Sequence, residues 1–268
     1  MKIYGIDFTS APSKAKSITC AEASLAADIL NIEKFYRFTS FLSFMDFLKQ
    51  SPAWIAGVDF PLGQPRKLIE NLQWGTTWEE YVNRIGQMTK QEFVEVLNQY
   101  RQGRANGDRE HLRETDKFKS AISPMKVYGV PVGKMFFEGA PRLLNAGFSI
   151  LPSHPTNDPR IVLEIYPALI ARSLIGKQSY KSDEKRKQTP KMQLLRQEII
   201  MHLRSPILKE KYGFAMEISD RLAGECEHDH SGDTLDAILA TIQAASASCQ
   251  SNYGIPETCD RLEGWICA

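Results

Sequence analysis

The sequence has no C-x-x-C pair, and its five cysteines (Cys20, Cys226, Cys249, Cys259 and Cys267) are odd in number. That argues against a disulfide framework and a structural zinc site, and predicts reduced thiols in a cytoplasmic protein. No apolar run approaches the roughly 18–20 residues of a membrane span, so no membrane partner is expected. No secretory signal is expected either, because acidic and polar residues interrupt the chain from Asp7 onward. A P-loop and a G-x-G-x-x-G turn are both missing, which removes two common phosphate cradles. Charge of one sign is scarce: the net charge is +1, so no global field advertises a nucleic-acid partner, and only a local basic patch stays open. What remains is ordinary globular composition over 268 residues, 43% hydrophobic and 24% charged. The expectation is one α/β domain spanning 1–268 with room for a sizeable insertion.

Hydrophobic patterning predicts strands at 2–8, 16–25 and 33–41, a short helix at 43–51, and a strand buried on both faces at 53–60. The order β-β-β-α-β suggests an antiparallel meander followed by a parallel partner. Residues 62–157 break the rhythm with prolines and a charged stretch, "GRANGDREHLRETDKFKSA", and read as a mostly helical insertion or lid. Within it, 78–102 and 133–152 are expected to be helical. The core resumes with a strand at 161–165, a helix opening near Pro167 and stopping at Gly176, a helix over 189–203 and a last strong helix at 231–248. Alanines 237, 240, 244 and 245 keep that last helix slim enough to lie close against a sheet.

Carboxylates are common here, 32 in all, so placement is what carries information. Asp7 ends the first strand in "YGIDFTSAP", and Asp59 ends the fourth in "WIAGVDFPLG"; the two share G-[IV]-D-F. Each alone is equally a cap for the loop that follows. Glu164 interrupts the apolar strand "IVLEIY", where a buried, unpaired carboxylate costs several kcal/mol. Asp233 and Asp236 lie three apart on one face of the last helix, where acidic residues also suit a helix N-terminus. The preceding "EHDHSGD" reads as a polar loop. Together, three strands and one core helix bring carboxylates toward one end of a sheet. Crowded like charges call for a cation. Mg²⁺ or Mn²⁺ suits such a set, with Asp7, Asp59 and Asp236 as metal ligands and Glu164 and Asp233 beside them.

This layout resembles the ribonuclease H-like superfamily, which implies a mixed sheet of three antiparallel meander strands plus parallel strands, flanked by helices. The nucleases of that superfamily carry acids on the first strand, the fourth strand and the last helix, matched here by Asp7, Asp59 and the Asp233/Asp236 pair. More specifically, the pieces "YGIDFTSAP", "GVDFPLGQP", "LRETD", "SPMKVYGVPVGKM", "LEIYPAL" and "SGDTLDAILATIQA" are similar, in order, to a family of predicted ribonuclease H-like nucleases designated domain of unknown function 429. The resemblance covers nearly the whole chain and gives Arg113 and Asp116 of "LRETD" a family-level claim. Of the two basic clusters, 101–119 is diluted by interleaved acids. "YKSDEKRKQTPK", with Lys181, Lys185 and Arg186, is the better candidate for contacting a phosphate backbone.

The expectation is therefore metal-dependent phosphodiester hydrolysis by a nuclease, with DNA, RNA, a branched junction or a small nucleotide all open as substrate. Two alternatives stand beside it. "GIDFTS" imitates the first phosphate-binding turn of actin and sugar-kinase phosphotransferases, but no adjacent glycines occur in the last third of the chain to form an adenosine loop. A non-catalytic binding module on the same fold is the other, although a surface for nucleic acid would gain from losing these acids.

Overall fold

A computed structural model describes residues 1–267. Seven strands form one mixed sheet: β1 (Lys2–Asp7), β2 (Ile18–Ala26), β3 (Ile29–Phe38), β4 (Trp54–Val58), β5 (Ser149–Leu151), β6 (Arg160–Glu164) and β7 (Ala215–Ile218), in the order β5-β6-β4-β1-β2-β3-β7. β2 is antiparallel to β1 and β3, and the other pairings are parallel. The meander and the parallel fourth strand match the sequence reading. β3 begins at Ile29, four residues before the expected start. The reason is the turn: Ala27 and Asp28 both take positive φ, 47° and 60°, so two residues reverse the chain and alternation resumes at once.

Helices cover both faces. On one lie α1 (Phe41–Gln50), α2 (Arg66–Asn71), α3 (Trp78–Gly86), α4 (Lys90–Arg101) and α6 (Val132–Asn145), packed on Tyr4, Ile6, Val58 and Val162 of the sheet. The expected helix over 78–102 is two helices. Thr89 accepts from Glu92 N while Glu92 accepts from Thr89 N, a capping box that restarts the chain as α4. A short α5 (Glu114–Lys119) lies in the charged stretch, and 149–151, expected to continue a helix, joins the sheet edge as β5.

The other face carries α7 (Ala168–Ile175), α8 (Pro190–Leu203), α9 (Pro206–Tyr212), α10 (Asp220–His228) and α11 (Asp233–Ser248). α11 lies across the middle strands, with Leu235, Ile238, Leu239 and Ile242 wholly buried. At about 1.5–3 kcal/mol per buried aliphatic side chain, this helix is a main anchor of that layer. No helix among the described residues is long and apolar enough to cross a membrane.

Candidate functional site

The close fit of α11 begins with two glycines. β1 and β4 pair in parallel with Gly5 opposite Gly57, and the ladder extends one step further through Asp59 N donating to Ile6 O at 3.0 Å. Alternate residues of a strand share a face, so each aspartate points the same way as the glycine two before it. A Cβ at Gly5 would come within 2.1 Å of the Ala237 carbonyl oxygen, and one at Gly57 within 2.9 Å of the Ala240 oxygen. The helix therefore touches backbone there, and its first turn is brought down beside Asp7 and Asp59. That turn is fixed from outside. Gly232 caps it at φ 73°, and Asp229 accepts hydrogen bonds from the backbone and hydroxyl of Thr234 at 2.9 and 2.8 Å. The expected polar loop thus begins as the end of α10 and ends as a helix cap.

Asp7, Asp233 and Asp236 are buried, and Asp59 is half-buried. Two lysines neutralise part of the set. Lys16 Nζ bridges Asp233 and Asp183 at 2.7 Å each. Lys181 Nζ sits on Asp236 Oδ2, while the Tyr180 hydroxyl donates to Asp236 Oδ1. The Asp7 and Asp59 carboxylates make no hydrogen bond or ion pair among the described residues. Burial pushes the Asp7 carboxyl well above its usual range, against the attraction of Lys181 and with the charges of Asp233 and Asp236 adding to the rise. Burial and the neighbouring Asp236 push Asp59 up to about 7. Burial works against the Lys181 ammonium, and Asp236 and Asp7 overcome it, so Lys181 stays firmly charged. The centre holds more negative charge than it can comfortably carry.

Glu164 is held apart from this set. Its partner in the ladder is Val58, one residue before Asp59, so it faces the opposite layer. There it meets Arg113, whose Nη2 and Nη1 donate to its two oxygens at 2.5 and 2.7 Å, and Leu62 N, at 2.8 Å. Arg113 also grips Asp116 at 2.8 and 3.0 Å, and all three side chains are almost wholly buried. Burial raises the Glu164 carboxyl, opposed by Arg113. The "LRETD" segment thus supplies a buried guanidinium shared by two carboxylates. Lys185 and Arg186 lie on an exposed 3-10 turn, where Arg186 pairs with Glu184 at 3.0 Å. Of the four basic residues expected to meet substrate, only Lys181 contacts the α11 acids.

Sequence reading missed Lys16 and Tyr180. Lys16 lies in the loop after Asp7, which the antiparallel return of β2 must carry over the strand ends. That topology was its only signal. Tyr180 immediately precedes the basic cluster and had none.

Among the described residues, no group of three His, Cys, Asp or Glu side chains is arranged to hold a metal ion as it stands. The donor chemistry nevertheless fits Mg²⁺ or Mn²⁺: hard carboxylate oxygens, two of them unpaired, with excess negative charge. The Lys181 ammonium is the cation on Asp236. Beside Asp59 a cavity of about 330 Å³ opens against Arg113, Glu164 and the segment 121–135.

No curated protein matches the sequence. The family described as protein of unknown function (DUF429) matches residues 5–260, nearly the whole chain, and the protein belongs to that family.

Proposed function

We propose that the protein is a metal-dependent phosphodiesterase on a ribonuclease H-like fold, acting as a nuclease. The observation that carries this reading is the convergence of Asp7, Asp59 and Asp236 at the carboxyl ends of β1 and β4, with two of the three carboxylates unpaired. The order of meander, helical crossover, parallel strand and acid-bearing terminal helix supports the fold assignment. Asp7, Asp59 and Asp236 would hold Mg²⁺ or Mn²⁺, with Asp233 adjusting the charge through Lys16. Bound there, the cation would lower the pKa of water and stabilise a leaving oxygen. The chain's own contribution is to fix the carboxylates against the sheet and helix, so that the carboxylates themselves need little reorganisation. Lys181, released from Asp236, is positioned to meet a phosphate oxygen. Glu164 supports the site from behind by locking Arg113 under the Asp59 loop.

The test is calorimetric titration of Mg²⁺ and Mn²⁺ into the wild type and Asp7→Asn, followed by cleavage assays on labelled single-stranded, duplex and branched DNA and RNA. Saturable binding and cleavage, both lost in a folded Asp7→Asn, support the reading. Absence of metal binding with and without oligonucleotide refutes it. One observation favours a second reading: the Lys181 ammonium already neutralises Asp236. A binding module with a built-in cation would bind a partner without metal and be indifferent to Asp7→Asn.

A further inference from the structure

The cavity beside Asp59 is a largely apolar concave surface. Ile122, Val130 and Met135, from the segment before and within α6, form one wall, and Ile165, just past β6, lies on the sheet side. Its polar points are Asp59, the mutually paired Arg113, Asp116 and Glu164, and Tyr166 with Arg172, whose Nη2 donates to the tyrosine hydroxyl at 3.0 Å. Ile122 and Val130 are exposed, 39% and 61%, although aliphatic side chains normally seek burial. Arg172 also borders a second cleft of about 820 Å³, where Lys177 and Lys181 project. An apolar slot and a basic cleft thus meet at Arg172, with Asp59 lining the slot and Lys181 of the cleft paired with Asp236.

We propose that this slot receives one unpaired nucleobase of the substrate, adjoining the phosphate presented to Asp7, Asp59 and Asp236, while the strand's backbone runs into the Arg172–Lys177–Lys181 cleft. The inference rests on the nuclease reading and names its substrate class: single-stranded or locally unpaired nucleic acid. At about 330 Å³ the slot lies at the lower end of small-ligand sites, enough for one nucleoside, and a base that stays stacked and paired in a duplex does not enter such a slot. Chemistry decides the occupant. The group next to a bound phosphate along a nucleic acid is a sugar carrying a flat base, whose faces are satisfied by aliphatic walls and whose edge is satisfied by a few polar groups. The base must leave its partner to enter, and an already unpaired one enters without that cost.

The test is equilibrium binding, by fluorescence anisotropy with Ca²⁺ present, of three probes: single-stranded oligothymidylate, the same sugar–phosphate chain without bases, and a closed hairpin duplex. The proteins are the wild type and the double variant Ile122→Asn/Val130→Asn, whose sites are exposed enough to leave the fold intact. The wild type is expected to bind oligothymidylate about tenfold more tightly than the abasic chain or the duplex. The double variant is expected to lose most of that preference while its affinity for the abasic chain stays the same. Equal affinity for the based and abasic chains, or an equal loss of both in the variant, overturns the slot and leaves the nuclease reading standing. No binding of any probe overturns both.

Discussion

Replacing Asp59 by Asn tests whether the charge crowding is real and whether it exists to receive a cation. Burial and the charge of Asp236 push the Asp59 carboxyl up to about 7 in the folded chain, from an ordinary 3.8. A group whose folded pKa is raised holds its proton more tightly when folded. The folded state therefore loses stability as pH climbs from about 4 through 7, and the loss levels off above. At face value the linkage is about 1.7 kcal/mol at pH 5 and about 4 kcal/mol at pH 7. The carboxylate opens onto a cavity, so solvent screens it, and about half of each figure is the expectation. Asn keeps the shape and cannot ionise. In EDTA the variant should therefore be more stable than wild type by about 1 kcal/mol at pH 5 and about 2 kcal/mol at pH 7 and above. In a chain of this size that corresponds to a few degrees in melting temperature, widening with pH. Saturating Mg²⁺ should reverse the order at pH 7.5, because wild type gains binding energy that the variant, short of a ligand, does not. Thermal melts followed by circular dichroism from pH 5 to 8.5, with EDTA and then with Mg²⁺, provide the measurement. A gain that is flat across pH refutes the crowding argument. A Mg²⁺ shift equal in the two proteins removes Asp59 from the cation site.

Lys181→Met removes the ammonium from Asp236; the metal-free chain should lose stability above pH 7, while Mg²⁺ affinity measured by calorimetry rises about tenfold, since no tethered cation need be displaced. Gly5→Ala should destabilise more than Gly57→Ala in urea unfolding, because its Cβ would meet backbone oxygen at 2.1 rather than 2.9 Å; about 1–3 kcal/mol is expected for Gly57→Ala and more for Gly5→Ala. Arg113→Met strands two buried carboxylates and should cost about 3–5 kcal/mol, and adding Glu164→Gln should restore a large part of it, as a double-mutant cycle in urea would show.

Much of this arrangement was legible because it depends on local order. The G-x-D repeat fixes which face two aspartates share, and the alanines of 237–245 announce a helix lying close to backbone. Other features depended on pairing that no local pattern encodes. The strand at 149–151 has three residues and follows a long helix, so periodicity offered nothing to separate it from a helix tail. The helix of 220–228 and the strand of 215–218 were likewise passed over, each too short to declare a period. Lys16 and Lys181 come from loops, and loops approach the acids only because the strands end there.

The two fates of the buried acids follow from one residue of register. Asp59 and Glu164 stand at the ends of adjacent parallel strands and look equivalent in sequence. In the ladder Glu164 is opposite Val58, and this single step turns it to the other face of the sheet. On that face a lone carboxylate would be costly. The charged segment 103–121, unpromising as core, supplies the remedy: Arg113 reaches in and satisfies both oxygens of Glu164 with two hydrogen bonds, and Asp116 holds the guanidinium in plane. On the α11 face Asp233 and Asp236 are met by the single ammonium groups of Lys16 and Lys181, with the Tyr180 hydroxyl also on Asp236, and such an ammonium can be displaced by another cation where a fixed bidentate guanidinium cannot. One set of carboxylates is closed by the protein and serves the fold. The other is paired with single ammonium groups or left unpaired, which is what the proposed metal site would use.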